Sequence, residues 1–256
     1  MDWPVAELPQ KIGSDQVHVW SWDLAIIGPD SPAHAALLDP QELERMNRFH
    51  FEGDRSRFLL SHANMRRILG GYLGEPPERI SLLSNRFGKP ELSAAEAAGR
   101  MAPPPLRFNL SHSRTVALLA VSLDVEVGVD VEDIRPIEPE IAKSFFSAME
   151  ISALAQLEGD SWLQGFYHCW TRKEAILKAE GVGLNLPLAD FDVSLTPGGP
   201  PELLGSRPPA KLRHPWKLHD LSPAAGTIGA LAMSRSQAAV ACYRLGENVQ
   251  GTQKNL

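Results

Sequence analysis

Residues 125–134 read Val-Glu-Val-Gly-Val-Asp-Val-Glu-Asp-Ile, and the rest of the chain is organised around that alternation. Successive side chains of a strand point to opposite faces, so Val129 and Val131 face one way while Asp130 and Glu132 face the other. Two carboxylates on one face repel each other unless a cation or a proton sits between them. Gly128 removes bulk beside them and leaves room for a ligand. Taken alone, the run fits an amphipathic strand with a solvated acidic face equally well.

Downstream of this strand, Ser161 to Glu180 reads as a helix, with Leu163, Tyr167, Trp170, Glu174 and Leu177 at spacings of three or four. Upstream, Val116 to Val121 reads as an apolar strand and Leu110 to Ser113 as a polar turn. Further back, Val17 to Leu24 alternates around Trp20 and Trp22 and reads as an early strand. Pro40 to Leu73 reads as helical: Phe58, Met65, Leu69 and Leu73 recur at helical spacing, and Arg45, Arg48, Arg55, Arg57, Arg66 and Arg67 add positive charge. Ser93 to Leu106 and Thr196 to Pro209 are Pro/Gly loops, and Ala238 to Leu245 reads as a last strand. In each half a strand, around Trp20 and then around Asp130, precedes a long helix by roughly forty residues. The expected fold is therefore α+β, with similar halves over 1–123 and 124–246, a loose tail over 247–256, and a ligand site in the cleft between the halves.

Composition narrows the function. A chain of 256 residues that is 43% hydrophobic buries a large core. A net charge of −6 argues against nucleic acid as the main partner. Cys169 and Cys242 lie far apart in no metal-ligand pattern, which suits a reducing cytoplasm. No basic stretch leads into an apolar core at the start, and nowhere do 18 apolar residues run together, so neither secretion nor a membrane is expected.

Glu174 interrupts the apolar stripe of its helix and needs a partner. Lys178, four residues on, supplies one as a plain intrahelical ion pair. Alternatively, Glu174 adds a third oxygen donor to Asp130 and Glu132 and completes a hard-cation site for magnesium or manganese, with Lys173 and Lys178 meeting phosphate oxygens. Phe108-Asn109-Leu110-Ser111-His112-Ser113 offers several donors to an anion, or is simply a capped turn. Arg86-Phe87-Gly88-Lys89-Pro90 combines close backbone approach, fixed direction and charge.

In this order the segments GKP (88–90), FNLSHS (108–113), VGVDVE (127–132), FFSAME (145–150), WTRKEAILK (170–178) and GVGLNLPL (181–188) resemble the large surfactin-type 4′-phosphopantetheinyl transferases. Arg45, Asp54 and Arg57 also stand as in that family, whereas Glu42 and Gly53 occupy positions where relatives often carry basic residues. The resemblance implies a magnesium-dependent enzyme that moves the phosphopantetheine arm of coenzyme A onto a serine of an apo acyl or peptidyl carrier protein and releases 3′,5′-adenosine diphosphate. It implies that Asp130, Glu132 and Glu174 hold magnesium against the diphosphate, with Lys178 on the same phosphates. It implies that Ser111, His112, Arg45 and Lys89, the last between Gly88 and Pro90, lie around the adenosine 3′-phosphate and base, with Asn109, Arg57 and Arg86 nearby. Glu150 matches the residue that serves relatives as general base, beside Glu174 and Lys178 as the other catalytic groups; a plain exposed helix glutamate is its alternative. A basic or apolar patch beside the cleft is expected to meet the carrier, with the loops near Phe145 and Phe146 as a candidate place, and the resemblance implies a monomer with an internal pseudo-two-fold. Two rivals use the same residues: a magnesium-dependent phosphohydrolase, with water as nucleophile, and a non-catalytic coenzyme A-binding module.

Overall fold

The computed structural model describes residues 3–8, 10–24, 32–86, 88–93, 106–208 and 211–246. In chain order the first half supplies β1 (Val5–Ala6), β2 (Gln16–Asp23), α1 (Pro32–Ala35), α2 (Pro40–Asn47), α3 (Glu52–Leu73), β3 (Leu82–Ser84), β4 (Pro90–Leu92), β5 (Leu106–His112) and β6 (Val116–Leu123). The second supplies β7 (Val127–Asp133), α4 (Pro139–Phe145), α5 (Ala148–Leu154), α6 (Gly159–Glu180), β8 (Phe191–Val193), β9 (Leu203–Ser206), β10 (Lys217–Leu221), β11 (Thr227–Met233) and β12 (Ala239–Leu245). The α+β class expected from the sequence is the class observed.

Four layers result. A five-stranded sheet of order β1-β12-β2-β6-β5 and a three-stranded sheet of order β10-β11-β7 face each other. Val17, Val19, Leu118 and Ala120 of the first pack on Val127, Val129, Val131, Leu231 and Met233 of the second. On the outer face of the first sheet Trp20, Trp22, Phe108 and Leu119 bury Met65, Ile68 and Leu69 of α3. On the outer face of the second, Leu218, Ala230 and Ala232 bury Phe166, Tyr167 and Ile176 of α6. The alternation of β7 therefore does what its pattern demands: its valines enter the core between the sheets, and Asp130 turns toward α6.

Local chemistry sets the helix ends. Asp39 and Glu42 form a reciprocal capping box at the start of α2, with Pro40 in the first turn. The expected single helical stretch over 40–73 divides at 48–51 into α2 and α3. The 22-residue helices α3 and α6 both stop at a left-handed glycine, Gly74 and Gly181, each with φ of 67°.

Several expectations are corrected. Leu110 to His112 continue β5 rather than turning, because their backbone pairs with Ala117 to Leu119; the turn begins at Ser113. The loop expected over 196–209 contains β9. Gly128 makes room for α6 and not for a ligand: a Cβ there would lie 2.1 Å from Ala175 O and 2.3 Å from Ala179 N. The last strand, assigned with the second half, lies between β1 and β2 and pairs in parallel with both. Most of the Pro-rich loop over 93–106, and the tail over 247–256, lie outside the described residues. Among the described residues no helix is long and apolar enough to cross a membrane.

Candidate functional site

From 171 to 180 every residue of α6 is buried except Glu174 and Lys178. Four residues apart, these two share one face, where the helix passes over β7. Asp130 meets them there. Lys178 Nζ donates to Asp130 Oδ1 at 2.6 Å and to Ser111 Oγ at 2.8 Å, and Ser111 Oγ donates to Asp130 Oδ1 at 2.9 Å. Asp130 Oδ2 is buried and has no hydrogen-bond partner among the described residues. A desolvated carboxylate oxygen left over in this way carries negative charge that a cation can take up.

The neighbouring acids feel that charge. Burial first, and then Asp130, push the Glu132 carboxyl up to about 7, against the opposing pull of Lys178. Glu174 is raised by burial and then by Asp130. Among the described residues no three His, Cys, Asp or Glu side chains are already gathered at metal-holding spacing. The donor set nevertheless fits a hard divalent ion: three carboxylates in one field, one with an unengaged buried oxygen, and no thiolate or imidazole among them.

Around this centre stand cations. His112 ends β5; desolvation lowers its imidazole, a Ser113 backbone hydrogen bond opposes that, and His62, Lys178 and Arg57 lower it further, so these side chains share one region. Arg57 is paired with Asp54 at 2.6 Å. Arg45 is exposed and its guanidinium carbon lies 5.6 Å from the Phe58 ring centre. Glu42, where a cation was expected from relatives, is consumed internally: Arg66 Nε donates to it at 2.6 Å, and His62 Nδ1 lies 2.7 Å away. Gly53 leaves space that the Arg57 guanidinium fills.

The turn from β3 to β4 holds Arg86, Gly88, Lys89 and Pro90. Gly88 adopts a φ of 85°, which disfavours other residues there. Asn85 Nδ2 donates to Gly181 O at 3.3 Å and Lys89 Nζ to Val127 O at 3.4 Å, so the turn rests on the end of α6 and the start of β7. Burial depresses the Lys89 ammonium. Arg86 is exposed. Asn109 Oδ1 accepts from Val129 N at 2.8 Å and thereby stitches β5 to β7.

Two expected site residues lie elsewhere. Glu150, expected as the base, is only 1% exposed and fully engaged: Oε2 accepts from Ser147 N at 2.9 Å, and Oε1 accepts from Val193 N at 2.9 Å and pairs with Lys173 at 2.8 Å. Lys173, expected at the phosphates, is 0% exposed and spends its remaining protons on Leu188 O and Phe191 O. A carboxylate and an ammonium that neutralise each other inside the core are presented to neither substrate. Phe146 is buried as well, whereas Phe145 is exposed.

One residue escaped the sequence reading. Asp133 Oδ2 accepts from Arg114 N at 2.9 Å, and its Oδ1 accepts from Ser113 Oγ at 3.3 Å and from Thr115 Oγ1, fixing the turn beside His112. The signal was present, since Asp133 follows Glu132 directly and breaks the alternation.

Comparison with known proteins fits this geometry. Residues 126–233 match the profile of the 4′-phosphopantetheinyl transferase superfamily, and residues 30–124 that of the 4′-phosphopantetheinyl transferase N-terminal region. The 4′-phosphopantetheinyl transferase HetI of Nostoc sp. is 37% identical over 225 residues, covering 86% of this chain and 89% of that protein. The 4′-phosphopantetheinyl transferase Sfp of Bacillus subtilis is 33% identical over 164 residues, covering 64% and 69%. The L-aminoadipate-semialdehyde dehydrogenase-phosphopantetheinyl transferase of Mus musculus is 33% identical over 169 residues, covering 61% and 53%. A buried aspartate held by a lysine and a serine with two further acids in its field, together with relatives named as transferases, places the chain in the class of transferase enzymes. The chain belongs to the 4′-phosphopantetheinyl transferase superfamily.

Proposed function

We propose that the site over β5, β7 and α6 binds coenzyme A by its diphosphate beside a magnesium ion, with manganese as a substitute. There the 4′-phosphopantetheine group passes to a serine of an apo acyl or peptidyl carrier protein. The unengaged buried oxygen of Asp130, with Glu132 and Glu174 in its field, carries this reading. Those three carboxylates would hold the ion, which when bound neutralises the diphosphate and the charge developing on its oxygens.

The chain's own residues do the rest. Lys178, now shared between Asp130 and Ser111, turns its ammonium to the diphosphate when the anion arrives. His112, Arg57, Arg45 and Lys89 surround the 3′-phosphate and base, with Ser111, the backbone of Gly88 and Pro90, and Arg86 at the rim. Asn109 holds β5 against β7 and so keeps the two sides in register. The serine oxygen bonds to phosphorus as the bond to the departing 3′,5′-adenosine diphosphate breaks. The serine's proton passes to solvent water in the same step; Glu150, sealed in the core, does not take it.

Phe145 and Met149, 43% and 49% exposed, form an apolar corner suited to the carrier. The division into halves over 1–123 and 124–246 is supported by matched stretches that end at 124 and begin at 126, with β12 returning to the first half's sheet. In this reading the enzyme is a cytoplasmic monomer with a pseudo-two-fold, and neither nucleic acid nor membrane is a partner. The relatives, all named as transferases, lend the phosphohydrolase rival no support.

The test incubates the protein with coenzyme A, magnesium and an apo carrier, then measures the carrier's intact mass. A gain of one phosphopantetheine is expected. Cleavage of coenzyme A with an unmodified carrier would instead mean hydrolysis, and neither product would mean binding alone.

A further inference from the structure

Two ion pairs, Arg207 with Asp192 at the surface and Glu150 with Lys173 in the core, are joined by the segment around β8. The Arg207 guanidinium, on a side chain 45% exposed, pairs with the buried Asp192 carboxylate and also donates to Ala189 O. Burial alone would push Asp192 up, but Arg207 and then Ser147 hold it below the ordinary carboxylate range. Ser147 caps α5: its Oγ accepts from Glu150 N at 3.2 Å, while its own N–H donates to Glu150. Glu150 in turn takes Val193 N and the Lys173 ammonium, and Lys173 reaches back to the carbonyls of Leu188 and Phe191. The segment 188–193 and the first turn of α5 are thus clamped to α6 by charge.

A buried ion pair adds little net stability over apolar packing; what the Glu150–Lys173 pair and its hydrogen bonds to Ser147, Val193, Leu188 and Phe191 supply is one arrangement. Here that arrangement fixes a corner. Phe145 and Met149 stand two residues before and two after the Ser147 cap, and both are exposed. The Phe145 ring sets its edge against Trp170 at 5.5 Å, and Phe146 is wedged against Phe166 at 5.1 Å.

We propose that the contacts running from Arg207 through Asp192 and its neighbour Val193 to Glu150, and from there to Ser147 and Lys173, are a positioning device that sets the α4–α5 corner for the carrier protein, and that Arg207 governs carrier recognition while touching neither substrate. This rests on the reading that Phe145 and Met149 meet the carrier.

The test is steady-state transfer kinetics with coenzyme A and carrier varied separately, on the wild type, a Phe145→Ala/Met149→Ala double variant, Arg207→Ala and Arg207→Lys, with melting temperatures taken on the same samples. Arg207→Ala is expected to raise the carrier KM about fivefold with the coenzyme A KM and kcat within about twofold, and Arg207→Lys to recover most of the loss. If the double variant leaves the carrier KM unchanged, the docking reading falls and takes the proposal with it. If the double variant raises that KM and Arg207→Ala does not, the proposal alone is overturned. A rise in both KM values together with a lower kcat and melting temperature marks general loosening and also overturns it. Should Arg207→Ala not fold, Arg207→Gln carries the same outcomes.

Discussion

At the scale of single residues, acids do two opposite jobs in this protein. Asp130 is buried with one oxygen satisfied and one held open. Glu42 and Glu150 are buried and fully spent. For Glu42, burial alone would raise the carboxyl, but His62 and Arg66 outweigh it and the net shift is downward. A depressed carboxyl stabilises the fold above its unfolded pKa, near about 4.3, and that contribution fades as pH falls through the lower folded value. Glu42→Gln leaves the fully buried Arg66 short of its partner and should cost roughly 3–5 kcal/mol at neutral pH. Melting curves from pH 7 to pH 3 should show the gap from wild type narrowing below about pH 4; a gap that widens on acidification would refute the assignment. That Asp130 turns off the core face of β7 and that Glu174 and Lys178 share one face of α6 was legible, because a strand's alternation and a helix's four-residue spacing each fix a face from sequence alone. Glu150 and Lys173 were misread because nothing local distinguishes a glutamate that caps its helix and meets a buried lysine from one that faces a substrate.

At the scale of elements, the site depends on how closely α6 lies on β7. Gly128 allows that approach, since a methyl group there would collide with backbone atoms of Ala175 and Ala179, which have no rotamer to relieve the clash. Gly128→Ala should cost at least about 1–3 kcal/mol in urea unfolding and move Glu174 and Lys178 away from Asp130. A larger rise in the coenzyme A KM than in the carrier KM would accompany it; full stability with unchanged KM values would contradict this account. The glycine was noticed in the sequence, yet its neighbour was mistaken, because a bare backbone serves a ligand and a packed helix alike. The stretch Leu110 to Ser113 suggested a turn, and the structure spends all of it but Ser113 inside a ladder because β6 offers pairing partners there.

At the scale of the whole molecule, the chain ends by re-entering its first sheet. β12 pairs in parallel with both β1 and β2, so the first half is completed by residues more than two hundred positions away. Deletion from residue 239 onward should leave β1 without its ladder and β2 as an edge strand held by β6 alone, and sharply lower protection of β2 amides in hydrogen exchange. Retained protection of β2 would show that the first half closes without β12. A parallel strand carries no mark of which sheet it will join, so this crossing could not be read from the sequence, although the strand itself was. The strands β2, β6 and β7 and the long helix α6 were legible, because apolar periodicity survived in them; that the two sheets face each other was not, because pairing partners leave no such mark.

The central claim, that Asp130, Glu132 and Glu174 together hold a divalent ion on the diphosphate, is tested most directly by manganese binding followed by electron paramagnetic resonance in the presence of coenzyme A. Wild type should bind a single ion, Glu174→Gln should weaken that binding by about tenfold or more, and Asp130→Asn should do the same. Undiminished manganese binding in both variants would contradict the account.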